Sequence, residues 1–472
     1  MNRLVLLITL LWSIISVKAQ PVATQLGKAV NLFEADAQMR HAILGFSVLD
    51  ARTGKPVYEH NAQTGLAAAS TQKLFTSVAV LELLGKEYRF KTIIGYDGVI
   101  DSSVLKGNLH IAGFGDPTLG SWRWTETKEE VVLRKIAGIL RDNGIRRIDG
   151  NVYINDCAFS VQPIPGGWIW DDIGNYYGAG IWGINWRENQ YDLRIRTGKK
   201  EGDSTVLVGT APVLQIPALL NQVTIGKNGS GDNAYIYLPP YGLQGFTQGT
   251  VPVSANDSPF VIAGAMPNAP QQFAYALEQQ LKQDGITVSG SFTLYLQMLA
   301  NKRPVPVMKK TLGQLLSPTA DTINYWFLRR SVNLFGEAFA KVIAYEKNGF
   351  GATDKGVELI RDFWNSNGIE KSALHIMDGS GLSPQNRVTA DAEVKALQFA
   401  KTRSWFNSFY NALPEYNGMK MKSGSIGGAR AFAGYHTAKD GRQYIFSIIV
   451  NNYDGSAGEA VKKLYKILDV LK

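Results

Sequence analysis

The chain reads as an α+β protein in which one sheet is assembled from both ends of the sequence and a β-rich insertion separates them. Three observations predict this. A strand pair at 42–49 and 55–59 lies near the N-terminus, and a second pair at 429–437 and 443–451 lies near the C-terminus. Helical patterns dominate from Thr322 onward. Between them, from Phe90, the pattern is short strands broken by glycine. Strands and helices thus segregate along the chain instead of alternating.

Taken in order, residues 1–19 are set aside first. Arg3 supplies a positive n-region, residues 4–17 are an apolar run, and Val17-Lys18-Ala19 puts small residues before Gln20. This is the pattern of a secretory leader cut after Ala19, too short for a comfortable membrane span of about 20 residues. No later stretch is apolar enough to span, so no transmembrane segment is expected after leader removal. Residues 30–40 read as a helix, and the first strand pair turns at Ala51-Arg52-Thr53-Gly54. Leu74, Val78, Leu81 and Leu84 then mark a helix that opens at Ser70.

Within the insertion, Gly113-Phe114-Gly115-Asp116-Pro117 is turn-dense. Residues 128–143 form an amphipathic helix with Val132, Ile136, Ile139 and Leu140 on one side, stopped by Gly144. Strand resumes over 145–154. Residues 156–190 are aromatic and glycine-rich, with Trp168-Ile169-Trp170-Asp171-Asp172 followed by Tyr176-Tyr177-Gly178-Ala179. Such a stretch is either a binding wall or a loop packed on its own aromatics. Residues 195–260 are β-rich. A helix at 270–283 turns Phe273, Leu277 and Leu281 inward, and further helices are predicted over 322–345, 355–365, 389–400 and 458–471. The resulting division is a leader at 1–19, a main unit at 20–90 with 265–472, and inserted β-rich domains at 91–264, with a further small domain nested within.

Composition narrows the chemistry. Of 472 residues, 45% are hydrophobic and 19% charged, a globular balance. The net charge of +9 favours anionic surroundings such as a cell wall, yet no Lys/Arg run is dense enough for nucleic acid. Cys157 is the single cysteine, so no internal disulfide forms. The histidines at 41, 60, 110, 375 and 436 fall in no H-x-x-x-H or Cys/His cluster, and no metal site is expected. No G-x-S-x-G elbow occurs.

Three short motifs carry chemistry. In Ser70-Thr71-Gln72-Lys73, hydroxyl and amine stand one turn apart on one helix face. A serine needs a neighbouring base, and a lysine serves only if burial or another cation lowers its pKa. Free N–H groups at the helix start suit an oxyanion. Ser331-Val332-Asn333 offers a hydroxyl for proton relay and an amide able to accept from Lys73 while donating to a substrate carbonyl. Lys422-Ser423-Gly424-Ser425 precedes the late hairpin. Lys422 is expected to supply fixed positive charge and to lower the pKa of a nearby lysine. Small Ser423 and Gly424 let a substrate pair along the strand edge.

In this order the motifs resemble the S-x-x-K, S-x-N and K-T/S-G set of penicillin-binding proteins and serine β-lactamases. More than half the chain separates Ser70 from Ser331. That spacing resembles the class C low-molecular-mass penicillin-binding proteins, the D-alanyl-D-alanine carboxypeptidase/endopeptidase (peptidase S13) family, in which inserted domains part the first motif from the second. Gly115-Asp116-Pro117-Thr118-Leu119, Trp170-Asp171-Asp172 and Asp378-Gly379-Ser380-Gly381-Leu382-Ser383 fit the same family.

The resemblance implies an antiparallel sheet with helices on both faces. It implies a periplasmic or cell-wall enzyme that acts on peptidoglycan peptides and is blocked by β-lactams, without a cofactor. The implied roles are Ser70 as nucleophile, Lys73 as base, and Ser331, Asn333 and Lys422 as the rest of the catalytic set. Backbone N–H groups of Ser70 and Ser425 form the oxyanion hole. Ser423, Gly424, Ser425, Asp171, Asp172, Ser380 and Leu382 bind substrate. Three departures stand out: Ala68 replaces a frequent Pro, Ser425 closes a motif that often reads K-T-G-T, and Pro384 stands where many members carry Arg. The last concerns the far end of a diaminopimelate side chain and not the acyl chemistry. The alternatives are a β-lactamase, against which no dedicated acidic motif for deacylation stands out, and a non-catalytic cell-wall-binding protein.

Overall fold

The computed structural model describes residues 21–214, 218–254 and 258–472. The expected leader and its cleavage site lie outside them. The central sheet has six strands in the order Pro56–His60, Ile43–Asp50, Gln443–Asn451, Ala429–Thr437, Met419–Ile426 and Glu415–Tyr416. Every neighbouring pair is antiparallel. The two ends of the chain meet where Ile43 pairs with Asn451 and Asp50 with Tyr444.

The strand Gln443–Asn451 explains why helices cover both faces. Phe446, Ile448 and Val450 point into a core shared with Leu26 and Val30 of the helix Val22–Glu34 and Leu464 and Ile467 of the helix Ala457–Leu468. Ile445 and Ile449 alternate to the opposite core, with Leu74, Val78, Phe335, Phe339 and Leu397. A strand apolar on both faces must be sandwiched, since each buried Ile or Phe contributes about 1.5–3 kcal/mol. The polar exception is Ser447, whose hydroxyl donates to Glu393 Oε2 at 2.7 Å.

The helix Lys73–Leu83 crosses the second core and is buried along nearly its whole length. Helices apolar all round are buried helices. It is entered through a 3-10 turn, Ala69–Gln72, so Ser70 sits in that turn and Lys73 opens the α-helix. Two expected elements differ. The first helix ends at Glu34, because the Asp36 side chain accepts from Gln38 N and starts a separate turn. The single helix expected over 322–345 is two, Ala320–Arg329 and Asn333–Asn348, broken at Ser331 with φ 56°.

The insertion has its own core, in which Trp182, Trp186, Phe273 and Leu277 pack with Ile111, Ile154 and Ile262. Its largest sheet orders Phe292–Leu294, Val152–Asn155, Leu109–Gly113, Lys91–Tyr96 and Lys310–Leu316. The packing therefore puts the seam later than the expected return at 265. The helix Ala269–Gln283 buries its apolar face in this second core, and the strand Lys310–Leu316 closes the sheet that Lys91–Tyr96 began. Two three-stranded sheets, one of 190–196, 206–211 and 260–265 and one of 218–225, 233–237 and 244–251, add to the same core.

Candidate active site

The turn carrying Ser70 is held in an unusual shape. Ala69 has φ 50°, a region that non-glycine residues enter at a cost of about 1–3 kcal/mol. Lys73 follows one turn later, and its Nζ donates to Ser70 Oγ at 2.9 Å, to Asn333 Oδ1 at 2.6 Å and to the Ser380 carbonyl at 2.6 Å. All three N–H donors of the ammonium are used. Lys73 is fully buried, with the Phe327 ring 5.7 Å from Nζ. Burial pulls its pKa down to about 7, against the opposing pull of Asp378 and then Glu337.

The strand Met419–Ile426 lies directly against this turn. A Cβ on Gly424 would stand 2.1 Å from the Ala68 carbonyl oxygen, so only glycine lets the strand approach so closely. One edge pairs with Ala429–Thr437 from Lys420 to Ile426. On the other, Glu415–Tyr416 covers only Lys420 and Met419, leaving the backbone of 422–426 without a strand partner among the described residues. Such an edge accepts an added strand.

Lys422 corrects an expectation. It is buried, its Nζ donates to the Ser423 carbonyl at 2.8 Å, and its pKa lies well below the ordinary lysine value, through burial first and the Lys73 charge second. Its charge is not fixed, and burial rather than Lys422 leads the depression of Lys73.

The break between the helices 320–329 and 333–348 presents Ser331 and Asn333 to the same place. Asn333 Nδ2 donates to the Tyr177 carbonyl at 2.8 Å, while Oδ1 accepts from Lys73. These two partners fix the amide's orientation and leave one N–H free.

A cavity of about 940 Å³ opens over these groups, bordered by Ser70, Ser331, Asn333, Ser425, Leu382 and Asp172. Burial raises the Asp172 pKa, with the Tyr177 hydroxyl acting against the shift. Asp171 is turned away: it is exposed, and its Oδ1 accepts from Tyr237 Oη at 3.0 Å. Ser380 is fully buried behind the wall and reaches the site through its carbonyl, not its hydroxyl. Ser423 is half-buried and set back from the cavity. Among the described residues, no group of three or more His, Cys, Asp or Glu is placed to hold a metal ion.

The sequence matches the model of the D-Ala-D-Ala carboxypeptidase 3 (S13) family over residues 26–415 and 416–469. The chain belongs to this family. A D-alanyl-D-alanine carboxypeptidase of Actinomadura sp. (strain R39) is 26% identical over 93% of this chain and 83% of that one. The D-alanyl-D-alanine carboxypeptidase DacB of Haemophilus influenzae is 22% identical over 89% and 87%. The crystal structure of penicillin binding protein 4 from Haemophilus influenzae superposes with a TM-score of 0.78 at 20% identity, covering 95% of this chain and 98% of that one. This last likeness shows a shared fold.

Around the S13 site stand groups the motif reading missed. Asp378 is fully buried and takes five hydrogen bonds: from Gln72 Nε2, Gly381 N and Asn386 Nδ2 on Oδ1, and from Trp168 Nε1 and Ser383 N on Oδ2. It ties the nucleophile turn, the 378–386 loop and the insertion into one frame. The Asp-Gly-Ser-Gly run is a visible turn signal, but nothing in it announces burial. Arg123 borders the cavity, held by both oxygens of buried Glu188 and flanked by Trp326 with its ring 5.0 Å away. Glu188 owes its inward aim to three successive left-handed residues, Arg187, Glu188 and Asn189, which no propensity scale foresees.

Proposed function

We propose that this chain is a serine DD-peptidase that cleaves D-alanyl-D-alanine bonds in peptidoglycan stem peptides through an acyl-serine intermediate. The observation carrying this reading is the Lys73 Nζ to Ser70 Oγ contact of 2.9 Å at the floor of the cavity. Lys73 as the free amine takes the Ser70 proton, and Oγ attacks the penultimate D-alanine carbonyl carbon. Backbone N–H groups of Ser70 and Ser425 receive the oxyanion. Ser331 passes the proton to the leaving D-alanine nitrogen as the C–N bond breaks, and water then hydrolyses the ester.

The free N–H of Asn333 donates to the substrate amide, which pairs along the open strand edge at 422–426. The terminal carboxylate meets Ser425 with Lys422 behind it, and its arrival favours the charged form of Lys422 that burial opposes. A terminal D-alanine as leaving group gives carboxypeptidase action, and a cross-linked one gives endopeptidase action. A β-lactam presents the same amide and carboxylate and acylates Ser70. The reading includes export by the leader at 1–19, which brings the enzyme to the cell wall.

The test mixes the enzyme with labelled penicillin and, separately, with a peptide ending in D-Ala-D-Ala. A long-lived adduct together with released D-alanine supports the proposal. Fast penicillin turnover without D-alanine release overturns it in favour of a β-lactamase, and the absence of both adduct and D-alanine overturns it altogether.

Asp172 is assigned to a free side-chain amine of the stem peptide, since it is the carboxyl of its pair that borders the cavity. Asp172→Asn is expected to lower kcat/KM on such a peptide about tenfold or more, the worth of a hydrogen bond to a charged group. Penicillin acylation should change far less. Asp171→Asn should leave both rates near wild type. Equal losses on peptide and penicillin would assign Asp172 to holding the loop.

A further inference from the structure

The helix Asn333–Asn348 carries a second buried acid behind the site. Glu337 lies one turn beyond Asn333 on the same face and is fully buried. The loop comes close to this helix because two glycines face each other: a Cβ on Gly379 would stand 2.3 Å from the Gly336 carbonyl oxygen. Glu337 Oε2 accepts from Gly379 N at 3.1 Å, while Oε1 stands in hydrogen-bonding geometry with no partner among the described residues. Beside it, the buried Ser380 hydroxyl has no other partner among the described residues and acts on the Glu337 carboxyl. No lysine or arginine stands within ion-pair distance of Glu337 among the described residues. A buried carboxylate with one hydrogen bond and no ion pair is costly, and a proton on it removes the cost. That proton also supplies the missing donor for Ser380 Oγ.

We propose that Glu337 is kept as a neutral carboxylic acid that donates to Ser380 Oγ, and that it is a positioning residue for Lys73. It anchors the turn whose Ser380 carbonyl holds Lys73 Nζ, and as a neutral group it lets Lys73 shed its proton. The charges acting on it pull both ways. Asp378 from the loop disfavours a second negative charge, while Lys73 from the neighbouring helix and Lys341, one turn further on its own helix, favour one. Burial exceeds these, and the carboxyl titrates at about 8. Ionised Glu337 would stabilise the ammonium form of Lys73 and hold back its deprotonation, whereas the neutral acid leaves the free amine accessible in the neutral range.

The proposal rests on the serine-peptidase reading, and its test has an arm that does not. By infrared difference spectroscopy near pH 6.5, wild type minus Glu337→Gln should show a carboxylic-acid C=O band, whatever the enzyme acts on. In the second arm, penicillin acylation is followed against pH. Glu337→Gln keeps an acceptor for Gly379 N and a donor for Ser380 Oγ but cannot ionise. Below about pH 8, where Glu337 is neutral, the acylation of this variant should climb with pH as that of wild type does. Glu337→Ala, lacking both bonds, should acylate more slowly at every pH. A missing acid band, or an acylation climb that begins about one pH unit lower in Glu337→Gln than in wild type, would overturn the proposal. An enzyme that shows the band but never acylates would sink the peptidase reading alone.

Discussion

Ser70→Ala is expected to abolish the covalent penicillin adduct and to lower D-alanine release at least about 10⁴-fold, because no acyl-enzyme can form without Oγ. The fold should survive. The change removes one acceptor from Lys73, which keeps Asn333 Oδ1 and the Ser380 carbonyl. It leaves Ala69, the residue with φ 50°, untouched. The melting temperature should therefore move by no more than a loss of about 1 kcal/mol implies. Intact-mass measurement after penicillin exposure checks the adduct, and thermal unfolding checks the fold. A full-strength adduct on the folded variant would remove Ser70 from the mechanism and make another hydroxyl the nucleophile.

How much of this was legible in advance depended on whether a feature is written in spacing or in tertiary contact. The central sheet was legible because strands such as Gln443–Asn451 carry an apolar run interrupted only by Ser447 next to a tight turn, and only a sandwiched strand needs that. The seam of the insertion was not, because the helix Ala269–Gln283 is amphipathic whichever core it faces. Ser70, Lys73, Ser331 and Asn333 could be picked out by motif although Ser331 lies in what reads as a continuous helix. Residues on both sides of it favour helix, and the positive φ at Ser331 is imposed by the surrounding fold. Buried charge was illegible throughout. Asp378, Glu337 and Glu188 look in sequence like any acid beside a turn or on a helix, yet all three are fully buried. The same blindness misjudged Lys422, since a lysine near a strand reads as exposed and permanently charged until its burial is known.

Lys73→Met and Lys73→Arg together separate the two things this lysine does. Met removes the amine and the charge; Arg keeps the charge and the donors but cannot deprotonate. If Lys73 is the base, both should slow acylation about 10³-fold, within the usual worth of a positioned proton acceptor. If only its charge mattered, Arg would stay close to wild type and Met alone would fail. The pH dependence gives a second discriminator. Burial pulls the Lys73 pKa down to about 7, so the free-amine fraction grows as pH rises through that value. Wild-type acylation should climb with it, and both variants should lose the climb. Stability works partly in favour of the experiment. Met leaves Asn333 Oδ1 and the Ser380 carbonyl without their donor, at about 1–3 kcal/mol each, but it also removes a charge from a fully buried position beside the Phe327 ring. The two effects oppose each other, so the folded protein should remain measurable at 25 °C. Stopped-flow acylation with a chromogenic cephalosporin across the neutral range reads both quantities. An arginine variant that acylates at the wild-type rate near pH 7 would mean that the proton of Ser70 leaves by another route, and Ser331 would then be the next group to test.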